Sequence, residues 1–190
     1  MKTGRRRLTG CAFRRMHSCA KVVVGRGLAF GTLVACLCVT AGARELPDPQ
    51  LTPGAINSAI SQEQYGTLCH TKNWTRPYRP PVSFTNSLMK LQMGKYGYPL
   101  ADIHDYEEDH LVPLCLAGAP QDPANLWPQP LFGEWSAVPK DALEAKLCRL
   151  ACAGKVPLEQ AQREIATDWI TAYKKYLGER EPLKPKVVHP

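Results

Sequence analysis

"EEDHLVPLCLAGAPQDPANLWPQ", residues 107–129, sets an Asp-His pair at the end of one strand-like run and Asn125 at the start of another. From Tyr106 the pattern is that of a strand, the turn cluster "AGAPQDPAN" interrupts it, and "LWPQP" resumes extended chain. A β-hairpin is the economical reading. It brings Asp109, His110 and Asn125 to one end of the two strands. An imidazole has an ordinary pKa of about 6.5, so His110 is mostly neutral at pH 7 and able to accept a proton. Asp109, its neighbour on a strand, ordinarily points to the opposite face and joins His110 only where the strand ends or bulges.

Helices flank the hairpin. "SFTNSLMKLQMGKYG" reads as one, with Ser83 as N-cap, Phe84, Leu88 and Leu91 on one face and Gly97 as its stop. "PKDALEAKLCRLACAG" starts with Pro139, carries Leu143, Leu147 and Leu150 on one stripe and ends at Gly154. At about 100° per residue, Asp141, Glu144, Cys148 and Cys152 share the polar stripe opposite. "PLEQAQREIATDWITAYKKYLG" repeats the grammar, with Leu158, Ala161, Ile165, Trp169, Ala172 and Tyr176 as the buried face. The fold class is α+β.

Ahead of the first helix, "CHTKNWTRPYRPPV" is Pro- and Arg-rich extended chain that a helix does not tolerate. It gathers Lys72, Arg76 and Arg79 with Trp74 and Tyr78, the one basic and aromatic cluster after the leader. Basic side chains there can track a phosphate backbone while aromatics stack on bases; equally, Trp74 can pack in the core and the arginines be solvated. Residues 44–66 read as a variable lead-in, with a weakly helical piece offering Ile56 and Ile60 to a core. Residues 178–190 read as a disordered tail.

Residues 1–43 have the pattern of a secretory signal: a basic start, the apolar run "LAFGTLVACLCVT", and small residues before a cut after Ala43. Translation from Met16 gives a more compact signal, and "LVAC" at 33–36 raises a lipoprotein alternative at Cys36. The expected location is secreted or periplasmic, with no stable membrane association. Eight of the 24 basic residues precede Arg44 and all 17 acidic ones follow it, so the mature chain carries 16 against 17, about −1. A polyanion contact must therefore come from a local patch or a metal. Cys69, Cys115, Cys148 and Cys152 follow the leader, and in an oxidising compartment they favour disulfides, with three full pairings open.

The spaced string "YEEDHLVPLCLAGAPQDPANLWPQP", followed by "KDALEAKL" and "AQREIATDW", resembles a family of exported bacterial HNH, or His-Me finger, nucleases, over residues 67–177. The resemblance implies a ββα-metal core, a hairpin plus a helix, with additional flanking helices. It implies hydrolysis of DNA or RNA phosphodiesters with little sequence preference. His110 would be the general base, Asn125 would hold the hairpin loop and the histidine in place, and Asp109 with Asp141 would hold a divalent metal ion, Glu144 being the reserve. Phosphodiester hydrolysis needs a deprotonated water and neutralised phosphate charge, which imidazole beside a divalent ion supplies. Oxygen ligands suit Mg²⁺; a His or Cys contribution moves preference to Zn²⁺ or another transition metal.

The family's recurring cysteine pair corresponds to Cys69 and Cys152, whose disulfide would be worth about 4 kcal/mol by loop closure. A zinc site from Cys69, His70, Cys148 and Cys152 is the alternative. Cys115 is expected to be a buried free thiol. Relatives often carry His where this chain has Cys148, so a secreted binding or structural domain of the same fold, without hydrolysis, is the competing function. Action on a non-nucleic phosphodiester is a third. His70, His104, His189, Glu107 and Glu108 are expected to be solvated. An inhibitor or immunity partner is left open.

Overall fold

The structure, a computed structural model, describes residues 44–179. The signal-peptide and Cys36 readings, His189 and nearly all of the tail lie outside those residues. The fold is α+β. Strand β1 (Tyr106–His110) pairs antiparallel with β2 (Leu126–Pro130), running from Tyr106 opposite Pro130 to His110 opposite Leu126 with no residue skipped. β1 thus ends at His110 and does not bulge. β2 is buried along its whole length, and its two prolines fit a sheet of only two strands, where missing ladder donors cost little.

Helix α1 (Gln62–Leu68) is started by a capping box in which Ser61 and Gln64 satisfy each other's backbone donors. Helix α2 (Val82–Lys95) begins after Pro81 rather than at Ser83, and a 3-10 turn, Arg76–Tyr78, interrupts the extended segment before it. α2 buries Leu88, Met89, Gln92 and Met93, two i, i+4 pairs side by side, and leaves Leu91 65% exposed, so the predicted face is rotated. Helix α3 (Ala137–Cys152) holds Pro139 in its first turn, where no intrahelical donor is lost. Helix α4 (Leu158–Leu177) buries Leu158, Ala161, Ile165, Trp169 and Ala172 as its periodicity predicts, while Tyr176 of the same face is only half-buried. Its backbone breaks at Asp168 (φ −161°, ψ 93°), whose carboxylate accepts from the Thr171 amide (3.0 Å) and hydroxyl (2.8 Å) and so caps the helix where it restarts.

Residues 44–66, read as a variable lead-in, make defined contacts with the rest of the fold. The Tyr96 hydroxyl donates to buried Thr52 Oγ1 (2.7 Å), which passes its own proton to the Leu126 carbonyl (3.1 Å). Trp169 Nε1 donates to the Glu45 carbonyl (3.2 Å), and Ile56 bridges to Gly118. Ile56 is 53% exposed because its backbone, not its side chain, makes the contact; Ile60 packs on the core as expected.

Two disulfides leave α3 one turn apart. Cys152 bonds Cys69 at the end of α1, and Cys148 bonds Cys115 in the 3-10 turn Leu114–Leu116. The expectation of a free Cys115 thiol is corrected: the loop after β1 carries its sulfur to α3, which packs chiefly against α4 and this same turn. Among the described residues, no helix is long and apolar enough to cross a membrane. The bonds close loops of sequence separation 83 and 33, so loop-closure reasoning predicts that Cys69→Ser/Cys152→Ser lowers the unfolding free energy by about 4 kcal/mol. Urea denaturation of the oxidised proteins measures this.

Candidate functional site

A cleft of about 480 Å³ opens between the end of β1, the first turns of α3 and the segment before α2. Glu108, Asp109 and His110 of β1, Asp141 and Glu144 of α3, and Arg79 share its walls. α3 reaches the strand through Lys140, which the sequence reading passed over. Its side chain is 1% exposed, and its Nζ donates to Asp109 Oδ2 (2.6 Å), to the His110 carbonyl (2.8 Å) and to Glu144 Oε1. Burial opposes a charge on Lys140, but Asp109 and Glu144 outweigh it and hold the ammonium above its ordinary range. One oxygen each of Asp109 and Glu144 is committed to this cation.

His110 is fixed from behind. Its Nε2 lies 2.9 Å from the Pro120 carbonyl, and since a carbonyl only accepts, Nε2 carries the proton and Nδ1 keeps the lone pair in the neutral ring. Burial pushes the His110 pKa below its ordinary value, against the opposing effects of the Pro120 carbonyl and Asp109, so the ring is neutral at pH 7.

The loop that carries Pro120 is held by Asn125, 0% exposed. Asn125 Nδ2 donates to the carbonyls of Val112 (3.0 Å) and Ala119 (3.0 Å), while Oδ1 accepts from the amides of Val112 (2.9 Å) and Ala55 (3.3 Å). Gly118 is needed at the same place, because a Cβ there would lie 1.8 Å from the Val112 oxygen.

The carboxyl groups are crowded, and burial makes it harder for most of them to ionise. Glu108, read as solvated, is instead turned inward: both its oxygens are buried without a hydrogen-bond partner, and burial, with Asp109 adding to it, raises its pKa to about 8. Glu107 and Asp141 are also raised, by burial first and by Asp109 next. Burial likewise raises Glu144 against the pull of Lys140. An orphaned buried carboxylate beside four others is a setting that a hard divalent cation stabilises, and in this respect the residues fit such an ion. Among the described residues, no three of these side chains bring one ligand atom each within 4.8 Å of one another, so binding would draw them together.

The structure thus gathers Asp109, His110 and Asp141 on one cleft, with Asn125 behind it. Of the basic and aromatic cluster only Arg79 reaches the walls. Trp74 is half-buried, packed edge-on between Tyr65 (6.0 Å) and Tyr78 (6.1 Å), which is its core role; Lys72 and Arg76 are exposed away from the cleft. His70 and His104 are exposed, as expected. Lys140 could have been found from its place beside Asp141, one residue before a presumed ligand; nothing in the sequence marks Glu108.

Comparison with protein-family models, with curated proteins and with solved structures returns no match for this chain.

Asn125→Ala leaves four backbone groups without their partner, and a loss of about 3 kcal/mol or more is expected in chemical denaturation. For Glu108 the sign is fixed by a folded pKa above the unfolded one: the folded state holds the extra proton between about pH 4.5 and 8, so stability falls as pH rises through that window. In chelator-treated protein Glu108→Gln should therefore raise Tm by several degrees at pH 8 and have little effect at pH 4, as differential scanning calorimetry will show.

Proposed function

We propose that this chain is an exported, metal-dependent endonuclease of the HNH type, hydrolysing DNA or RNA phosphodiesters with little sequence preference. The observation that carries the reading is His110: a neutral imidazole, held in one tautomer by the Pro120 carbonyl, on the wall of a cleft that it shares with Glu108, Asp109, Asp141 and Glu144.

In this reading the His110 Nδ1 lone pair takes a proton from an attacking water, and the Pro120 carbonyl stabilises the imidazolium through Nε2–H. Asn125 acts on the chemistry only by keeping that carbonyl in place. Arg79, exposed at the cleft wall, offers a guanidinium to a substrate phosphate. Asp109 and Asp141, with the orphaned Glu108 and with Glu144 in reserve, would hold a divalent ion, and the oxygen-rich set favours Mg²⁺. Such an ion supplies neutralisation of the phosphate and of the leaving oxygen. The hairpin with α3 against its end corresponds to a ββα-metal core in this proposal. Two disulfides suit an oxidising compartment and support the export that the leader pattern implies.

A second reading, a secreted binding domain without hydrolysis, is favoured by two observations. Lys140 already neutralises Asp109 and Glu144 from within, and Cys148 is held in a disulfide.

The test uses purified, oxidised residues 44–190 on plasmid DNA and on RNA, with Mg²⁺, Mn²⁺, Zn²⁺ or chelator. Cleavage should require the metal and fall by 10²-fold or more, as an order of magnitude, in His110→Ala. Because the base must be neutral and its pKa lies below the ordinary value, activity should hold to about pH 6.5 and decline only below it. Folded protein that cuts neither substrate with any of these metals would favour the binding domain.

A further inference from the structure

We propose that Cys69, His70 and Cys152, joined in the oxidised chain through a disulfide, form a zinc site when that disulfide is reduced. These three residues offer ligand atoms that all lie within 4.8 Å of one another, the only such His/Cys/Asp/Glu group among the described residues. His70 presents its ring to the bond: Nδ1 is 3.7 Å and Nε2 3.8 Å from Cys152 Sγ. Tetrahedral zinc with bonds of about 2.3 Å to sulfur and 2.0 Å to nitrogen spaces its ligand atoms by roughly 3.5–3.8 Å. The imidazole therefore already stands one tetrahedral edge from Cys152, and only the two sulfurs must separate. Their Cα atoms are 5.7 Å apart, which leaves that separation to side-chain rotation.

The redox step is the ordinary exchange. A dithiol reductant gives two electrons and two protons to the S–S bond and is itself oxidised to a disulfide. Each new thiol loses its proton to solvent as it binds the ion, and the neutral imidazole donates one nitrogen. His70 is exposed and the cysteines half-buried, so the fourth position faces water. Two thiolates and an imidazole select zinc over the hard cations that suit the cleft. In either state the end of α1 stays tied to α3: by the ion in a reducing compartment, by the disulfide in an oxidising one. The inference is independent of nuclease activity.

Zinc titration against a competing chelator, on phosphine-reduced and on oxidised full-length mature chain, tests it. One equivalent should bind to the reduced protein and none at this site to the oxidised. Cobalt substituted for zinc should show thiolate-to-metal absorption. His70→Ala should weaken binding by about tenfold or more, Cys69→Ser/Cys152→Ser should abolish it, and Cys115→Ser/Cys148→Ser should retain it. Zinc should also restore near-UV circular dichroism lost on reduction, which separates a folded site from capture by an unfolded chain. The proposal is overturned by reduced protein that takes up no zinc, by binding indifferent to His70→Ala, by zinc that follows Cys115 and Cys148, or by binding that leaves the reduced chain unstructured.

Discussion

A single buried ammonium joins the two halves of this molecule at the cleft. Lys140 reaches from the first turn of α3 to the Asp109 carboxylate and the His110 carbonyl at the end of β1, and turns back to Glu144 on its own helix. A charge buried this deeply is tolerable only with such complete pairing, and removing one partner strands the others. The geometry of the cleft is consistent with it: the placement of α3 that lets Lys140 reach Asp109 and the His110 carbonyl also brings Asp141 and Glu144 to the same wall as His110. Packing of Leu143, Leu147 and Ala151 in the core against α4 holds the rest of α3, and the two disulfides tie its last turns at Cys148 and Cys152.

On the opposite side, the orientation of His110 depends on backbone and not on charge. Asn125 stitches the loop at Val112 and Ala119, and Gly118 allows the chain to approach close enough for those bonds. The segment before α1 completes the arrangement, since Ala55 donates to the same asparagine oxygen and Gly54 to the Ala124 carbonyl. An acid-base group placed this way needs no mobile partner to select its tautomer. The carbonyl of Pro120 does so permanently.

Much of this was legible from residue patterns. The hairpin, α3 and α4 follow from period and punctuation, because each has an apolar face that one neighbour covers. α2 was harder: Met89, Gln92 and Met93 carry its buried face, and a hydropathy pattern gives Gln92 to solvent, whereas its amide donates to the Leu126 carbonyl (2.8 Å). Residues 44–66 carry little readable signal for a related reason. Their contribution is made by backbone groups and by Thr52, which carry no periodic signal. At the site, Asp109, His110, Asn125 and Asp141 were visible as a spaced string, but Lys140, the Cys115–Cys148 bond and the inward turn of Glu108 are products of tertiary packing. A strand beginning "YEED" looks solvated until a helix and a turn close over it.

The inward turn of Glu108 also bears on what the cleft can accept. Residues 44–190 carry 16 basic against 17 acidic residues, and five carboxyl groups, protonated Glu108 among them, gather within and beside this one cleft with buried Lys140 and exposed Arg79. A bare polyanion meeting that surface would be repelled at short range, where screening is weakest. In the proposed function a divalent cation would reverse the sign locally and displace the proton of Glu108, giving that carboxylate the partner its burial denies it. Under the proposed function, cation and phosphate substrate would have the same requirement of the cleft, and each would improve the site for the other. On that proposal the acidic wall belongs to a phosphate-handling site.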